Sequence, residues 1–179
     1  RRNRRPASHH LTDDHPMTHD VARIALLLQP REILLGVDVR DRSHALEVVG
    51  AEIARLCGRD PLPITHMLTR REQAASTALG NGFAIPHARI TGIAQPLTFY
   101  VRTKAPIAFN APDGKPVSQL LVIMVPADGA KDEHLQLLAL VAQLLSDRDF
   151  RDQLGGAADA VAAADVFRGA IGRLTTAGN

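Results

Sequence analysis

One histidine directly follows a proline, at Pro86-His87, inside a glycine-rich segment that runs from residue 76 to residue 89. Gly80 and Gly82 flank an asparagine and permit positive φ angles, so the backbone can turn tightly and let another surface approach closely. Pro86 removes an amide donor and stiffens the chain, so it presents the imidazole of His87 in a restricted position. A neutral ring nitrogen, available near the ordinary histidine pKa of about 6.5, suits nucleophilic attack on phosphorus. This pattern favours a phosphoryl acceptor at His87.

A phosphoryl acceptor also needs cations or hydrogen-bond donors that stabilise the phosphoryl oxygens during in-line transfer. Arg71 precedes the glycine-rich segment and can offer a bidentate guanidinium; Arg70 is the neighbouring alternative, and we prefer Arg71. His134 falls in the opening turn of a predicted helix, where free amides and the helix dipole favour an anion. Ser76 and Thr77 either donate to the phosphate or close the turn.

Other chemistries find less support in the sequence. His87 and His134 could form half of a zinc site, but no acidic or cysteine residue at ligand spacing completes it, so we expect neither metal nor cofactor. Cys57 is the single cysteine, which excludes an intrachain disulfide and favours core packing for this side chain. The chain contains no nucleophilic Ser or Cys elbow, no GxxxxGK[ST] loop and no Rossmann fingerprint.

Composition limits the classes of protein further. The 179 residues are 45% hydrophobic and 22% charged, which is typical of one globular domain. No apolar run approaches the ~20 residues of a membrane-spanning helix, so we expect a soluble, cytoplasmic protein without membrane insertion. The formal net charge is only +2, and aromatic residues make up 3% with no tryptophan. We therefore expect no nucleic-acid binding, which requires a basic stripe or stacking platforms.

The chain divides into a tail and a domain. Residues 1–20 are rich in arginine and histidine without hydrophobic periodicity, and they predict a disordered N-terminal tail followed by a single domain over residues 21–175. Asp41 or Ser43 can cap a helix that ends at Gly58. Further helices are predicted from Pro61 toward Glu72, from Asp132, around Phe150 and Leu154, and over residues 157–172, with strands at 33–35, 97–101 and 120–125.

Two of these segments indicate how the elements pack. The run from Leu120 to Val125 does not alternate, so it predicts a central strand buried on both faces. The helix from Asp132 is predicted to bury a stripe at 3.6-residue spacing. That stripe comprises Leu135, Leu138, Ala139, Ala142 and Leu145. Together the elements predict an α/β fold, a mixed β-sheet flanked by helices on both faces.

Several strings in the sequence resemble one family. Leu68-Thr69-Arg70-Arg71-Glu72, Ser76-Thr77 and the run from Gly80 to His87 are similar to the active-site signature of the fructose, mannitol and nitrogen class of phosphotransferase system (PTS) IIA proteins. Val125-Pro126-Ala127 followed by His134-Leu135 is similar to the strand and helix that carry the family's second active-site histidine. The likeness spans about residues 24–174 and is greatest to the nitrogen-regulatory branch. The departures are Phe83, where a smaller aliphatic is usual, Ala88, where glycine is frequent, and the arginine-rich tail.

The resemblance implies the type-2 IIA fold and a set of roles. It implies that His87 is phosphorylated, that His134 is its imidazole neighbour and that Arg71 binds the phosphate. It also implies a phosphohistidine donor of the HPr type, with phosphoenolpyruvate as the original source. Phe83 and Ile85 are expected to form a shallow apolar rim at which partners dock, with Gly82 beside them.

Two outputs of such a carrier remain open from the sequence. In the nitrogen-regulatory interpretation, phosphorylation of His87 is a charge switch that alters contact with targets in nitrogen metabolism and potassium homeostasis, such as potassium transport proteins or sensor kinases. In the other reading, the chain is a fructose- or mannitol-type IIA component that passes its phosphate to a IIB domain and permease. The sequence leaves the ring nitrogen that takes the phosphate undecided, because this depends on what hydrogen-bonds the other nitrogen.

Overall fold

The computed structural model describes residues 22–23 and 25–176, and the predicted tail over residues 1–20 lies outside them. A short 3-10 helix, Pro30–Glu32, precedes the sheet. The strands are β1 (Ile33–Val37), β2 (Ala78–Gly80), β3 (Phe83–Ala84), β4 (His87–Ile90), β5 (Leu97–Ile107) and β6 (Val117–Pro126). The helices are α1 (Arg42–Cys57), α2 (Pro61–Ala74), α3 (Lys131–Ser146), α4 (Arg148–Gly156) and α5 (Ala160–Thr176).

The strands form one mixed sheet with β6 at its centre. The order is β1-β5-β6-β3-β2, and β4 also pairs with β6. β5 runs antiparallel to β6, whereas β3 and β4 run parallel to it, one after the other along the same edge. The ladder breaks between them because Pro86 has no N–H to donate and the Ile85 N–H donates to Thr77 O instead, at 2.9 Å.

Both faces of β6 are buried, as its uninterrupted apolar run predicts. Leu121, Ile123 and Val125 join a core cluster with α3, α4 and α5. The alternate residues, Leu120, Val122 and Met124, join the second cluster, with α1 and α2. The α/β prediction of a mixed sheet flanked by helices on both faces is therefore confirmed.

Local signals in the sequence set several helix ends. The Asp41 side chain accepts a hydrogen bond from the His44 amide at 2.9 Å and caps α1, while Gly58 ends that helix at φ 64°. Asp60 caps α2 through the Leu62 amide at 3.1 Å. The alanine-rich helix α5 starts at Ala160, later than predicted, because the Asp159 side chain accepts from the Ala162 amide at 2.8 Å and caps it there.

The predicted stripe on α3 was wrong at three of its five positions, whereas Leu145 is buried and Leu138 packs against the core. Leu135 is 61% exposed, and Ala139 and Ala142 are exposed as well. The buried residues are Leu137, Val141, Leu144 and Leu145. Apolar residues occupy most positions between 135 and 145, so more than one face of the helix satisfies the helical spacing. Packing against the sheet determines which of these faces is buried.

Helix α2 is held close to α1 by a glycine. A Cβ at Gly50 would lie 2.4 Å from the Thr65 Oγ1 atom, so only glycine permits this approach. This close approach brings α2, the helix that carries Arg71, against α1. Among the described residues, no helix is both long and apolar enough to cross a membrane.

Candidate active site

The His87 ring is held by its own backbone at the start of β4. Its Nδ1 lies 2.7 Å from the carbonyl oxygen of Ile85. A carbonyl only accepts hydrogen bonds, so Nδ1 carries the proton and donates. The other ring nitrogen, Nε2, accepts from Arg71 Nε at 3.1 Å. This arrangement fixes the tautomer and leaves the Nε2 lone pair as the reactive position.

Arg71 reaches His87 from the last turn of α2. Its Nη1 donates to Ala75 O at 2.8 Å, which anchors the guanidinium from its other end. The neighbouring Arg70 is exposed and lines the same pocket. Of the two arginines that the sequence offered, the structure brings Arg71 into contact with the histidine.

His134 lies in the first turn of α3 and faces His87. The two ring centroids are 5.4 Å apart with the planes inclined at 47°. The Nδ1 of His134 is buried without a hydrogen-bond partner. No side chain caps the amino end of α3, and the positive end of the helix dipole lies in the same first turn that carries His134.

These groups line a pocket of about 370 Å³. Its walls are Met67, Arg70, Arg71, Ala74, His87, Ala88, Arg89 and His134. The three arginines are accompanied by no carboxylate in this wall, so the pocket favours an anion. Among the described residues, no three His, Cys, Asp or Glu side chains are grouped so as to hold a metal ion.

Both histidines are kept neutral by their surroundings. Burial lowers the pKa of His87, and the Arg71 charge lowers it further, while the hydrogen bond to Ile85 opposes these effects. Burial also lowers the pKa of His134, with added repulsion from His87, Arg89 and Arg71. An unprotonated Nε2 is therefore available at neutral pH.

Ser76 and Thr77 close the turn after α2 in this structure. Ser76 Oγ donates to Phe109 O at 2.7 Å and accepts from the Ala78 amide at 3.2 Å. Thr77 is buried, and its Oγ1 donates to Glu72 at 2.5 Å. Of the two roles that the sequence left open, phosphate donation would require these bonds to break.

The expected apolar rim of Phe83 and Ile85 was wrong. Phe83 is 1% exposed and Ile85 is 5% exposed, and both pack in the core beneath α3, α4 and α5. Gly82, with φ 80°, follows Asn81 in the turn between β2 and β3. That turn pairs near Gln119, whereas His87 pairs with Ile123 farther along β6. These residues are close to His87 along the chain, but the side chains of Phe83 and Ile85 point into the core, and Ile85 contacts the His87 ring through its carbonyl.

Three residues beside the site have roles that the sequence did not indicate. Arg89 Nη1 lies 3.4 Å from Ala127 O and 3.3 Å from Gly129 O, so it holds the turn that leads into α3. Glu72 is a buried carboxylate one position after Arg71. Leu135 is an exposed leucine next to His134. Of these three residues, Arg89 could be noticed in the sequence as a charged residue two positions after His87. Glu72 and Leu135 could not, because their importance depends on whether the fold buries or exposes them.

A family model described as "Phosphoenolpyruvate-dependent sugar phosphotransferase system, EIIA 2" matches residues 26–168. The chain belongs to this family. This PTS IIA component is therefore a phosphotransferase, a carrier of phosphoryl groups.

The relatives agree with the resemblance seen in the sequence. A nitrogen regulatory protein of Pseudomonas aeruginosa is 38% identical over 141 residues, which cover 78% of this chain and 91% of the relative. A fructose-specific EIIA component of Haloferax volcanii is 39% identical over 87 residues, 49% of this chain and 56% of the relative. The crystal structure of the nitrogen regulatory protein IIA-Ntr from Neisseria meningitidis matches with a TM-score of 0.74 at 33% identity, over 80% of this chain and 98% of that one. The resemblance to nitrogen-regulatory IIA proteins and the single-domain IIA fold are confirmed.

Proposed function

We propose that this PTS IIA protein carries its phosphoryl group on Nε2 of His87. The observation that supports this most strongly is the pair of hydrogen bonds to the ring, with the Nδ1 proton donated to Ile85 O at 2.7 Å and Nε2 facing Arg71 at 3.1 Å. A ring fixed in this tautomer presents one nucleophilic nitrogen, and it presents it toward the pocket.

The donor in this proposal is a phosphohistidine on a small HPr-type protein. The Nε2 lone pair forms a bond to phosphorus as the bond from phosphorus to the donor's ring nitrogen breaks. The electron pair of the broken bond stays on that nitrogen, and the donor ring, protonated on its other nitrogen, leaves as a neutral imidazole. The proton stays on Nδ1 of His87, hydrogen-bonded to Ile85 O, throughout the transfer, so the acceptor releases no proton. Both ends of the transfer are phosphoramidates, so it is nearly isoenergetic and reversible, and alignment is the main task of the protein.

Arg71 and His134 stabilise the group being transferred. Arg71 Nε donates to Nε2 before transfer, and as the phosphorus approaches, this donor shifts to a phosphoryl oxygen. The His134 ring, 5.4 Å from that of His87, is placed to give a second donor. Such donors act where negative charge concentrates, and a guanidinium matches the phosphoryl geometry.

The output that we propose is regulatory. A phosphoryl group adds about −1.5 to −2 charges at neutral pH to a pocket wall that contains Arg70, Arg71 and Arg89. Phosphorylation thus cancels about half or more of the positive charge of this surface and alters contact with target proteins in the cytoplasm. The targets proposed are those of nitrogen metabolism and potassium homeostasis, including potassium transport and sensor kinase proteins. The relatives named nitrogen regulatory protein support the first of these.

A second candidate output is sugar transport. The fructose-specific component of Haloferax volcanii supports it, because that relative shares 39% identity over 87 residues. In this case His87 passes the phosphoryl group to a fructose- or mannitol-type IIB domain and its permease. The acceptor chemistry is the same in both outputs.

Labelling with phosphoenolpyruvate, enzyme I and a nitrogen-type HPr tests the acceptor. We expect one acid-labile phosphoryl group, absent in His87→Ala and retained in His66→Ala, the exposed histidine of α2 that serves as a matched control. Nitrogen NMR of the phosphorylated protein should place phosphorus on Nε2. Label that persists in His87→Ala refutes the proposal.

Two further measurements separate the outputs. Rapid loss of the label to a sugar-specific IIB domain indicates transport. Binding of a potassium transporter subunit or sensor kinase that changes between the phosphorylated and unphosphorylated forms indicates regulation.

A further inference from the structure

Glu72 is a buried charge that the proposed transfer does not use. It is 4% exposed and lies in the last turn of α2. Its two carboxylate oxygens accept from the Thr77 amide at 3.1 and 3.2 Å, and one of them accepts from Thr77 Oγ1 at 2.5 Å. A buried carboxylate is tolerated only when it is hydrogen-bonded or paired. The carboxylate therefore clamps the turn that follows α2.

Two further contacts fasten the same turn. Arg42 Nη1 lies 3.7 Å from Glu72 Oε1, and its guanidinium lies 6.0 Å from the centre of the Phe109 ring. Ser76 Oγ donates to the Phe109 carbonyl at 2.7 Å. Residues 75–77 are thus held both by a charge and by the segment after β5.

Two carbonyl oxygens of this turn accept hydrogen bonds from the two residues that contact the His87 ring, Arg71 and Ile85. Ala75 O accepts from Arg71 Nη1 at 2.8 Å and so orients the arginine that donates to Nε2. Thr77 O accepts from the Ile85 amide at 2.9 Å. Ile85 O in turn accepts the Nδ1 proton of His87 at 2.7 Å. One anchored turn therefore positions groups on both sides of the imidazole.

We propose that Glu72 and Thr77 are positioning residues for the transfer: their buried hydrogen bonds fix both the tautomer of His87 and the orientation of Arg71. This inference rests on the proposed role of His87 as acceptor. Without the Thr77 hydroxyl, one carboxylate oxygen loses its shortest hydrogen bond, and the turn rearranges because this buried oxygen is left without that donor. The Ile85 carbonyl and the Arg71 guanidinium are then no longer held in fixed positions by the same turn.

Paired threonine variants test the inference. Thr77→Val keeps the side-chain shape and removes the hydroxyl, whereas Thr77→Ser keeps the hydroxyl. Thr103→Val is the matched control, because Thr103 is also buried and its hydroxyl donates to Ser118 O at 3.3 Å in the sheet. The readouts are the nitrogen NMR shifts of the His87 ring in the unphosphorylated protein and the rate of phosphorylation by the HPr-type donor.

In Thr77→Val we expect the ring to become a mixture of tautomers and kcat for phosphorylation to fall about tenfold, with KM for the donor within about twofold, since a hydrogen bond to a charged group is lost and the docking surface is unchanged. Thr77→Ser should restore both readouts, and Thr103→Val should keep both. Glu72→Gln provides a second measurement if Thr77→Val does not fold, and it should also yield mixed tautomers and a reduced kcat.

Wild-type tautomer and kcat in folded Thr77→Val or Glu72→Gln would overturn the inference. A fall in kcat of the same size in Thr103→Val would also overturn it, since general destabilisation would then be the cause. The ring shifts need no phosphate, so they test positioning even if His87→Ala still takes up label. Loss of the acceptor role and loss of the positioning role are thus distinguished.

Discussion

Replacing Arg71 with lysine tests the geometry of the site most directly. The guanidinium holds two positions at once, with Nε 3.1 Å from His87 Nε2 and Nη1 2.8 Å from Ala75 O. A lysine retains the charge but has a single ammonium group and no second donor in a fixed plane. It can approach the phosphoryl group or hold the Ala75 carbonyl, and not both.

The expected cost follows from the loss of one charge-assisted hydrogen bond. Such bonds contribute about 1.5–3 kcal/mol. If this difference acts in the transition state, kcat/KM for phosphorylation of Arg71→Lys falls about 10- to 150-fold. Arg71→Ala falls further, because the charge is lost as well.

Initial rates of phosphorylation by the HPr-type donor give the measurement, with circular dichroism melting to confirm that each variant is folded. Arg70→Ala provides the comparison, since Arg70 lines the same pocket but is exposed and lies off the His87 ring. Its kcat/KM should fall only about two- to threefold, from the loss of a screened surface charge.

An Arg71→Lys protein within twofold of the wild-type rate would refute this reasoning. So would a larger loss in Arg70→Ala than in Arg71→Lys, because the phosphate would then be held by the other arginine.

Four other predictions concern pH, docking and the core. Burial lowers the pKa of both His87 and His134, so phosphorylation at saturating donor should stay constant as pH falls to about 6.5 and decline only below it. Because the two pKa values are lower in the folded state, the unfolded chain binds more protons than the folded one below about pH 6.5. The free energy of unfolding, measured with urea, should therefore decrease as pH falls from 7.5 to 5.5. The decrease should be smaller in His87→Ala. Leu135 is 61% exposed beside His134, and Leu135→Asn should raise KM for the donor about fivefold with Tm unchanged. Val161 on α5 is 58% exposed, and the control variant Val161→Asn should leave KM unchanged. Equal effects of the two variants on KM would exclude a docking role for Leu135. Phe83→Ala should lower the free energy of unfolding by about 3–5 kcal/mol with the KM of the folded fraction kept, whereas a raised KM at unchanged stability would restore this residue to the docking surface.

Local chemistry in the sequence was sufficient for much of the fold. Asp41 and Gly58 delimit α1 because a cap needs only an acceptor side chain or a positive φ at one position. The unbroken apolar run of β6 identified the central strand because polar alternation is absent. His87, Arg71 and His134 were selected from residue type and neighbours, and the fold brings them to one pocket.

The sequence did not show which way individual side chains point or which of them are buried. Phe83 was expected at the rim because it lies near His87 along the chain, but strand pairing turns its side chain into the core. The burial of Glu72 depends on α1, α2 and the turn after α2 meeting around it. On α3 the surplus of leucines left the buried face undetermined until the sheet was in place.

The strand position of His87 also bears on how briefly a partner needs to stay. The Pro86 carbonyl accepts from the Ile123 amide at 2.9 Å, and β4 continues alongside the central strand as far as Ile90 and Pro126. The backbone that carries His87 is consequently already ordered in the sheet before a partner binds, so binding does not have to order this segment. A short-lived complex is then enough for each handover, which suits a shuttle that must release one protein before it can serve the next.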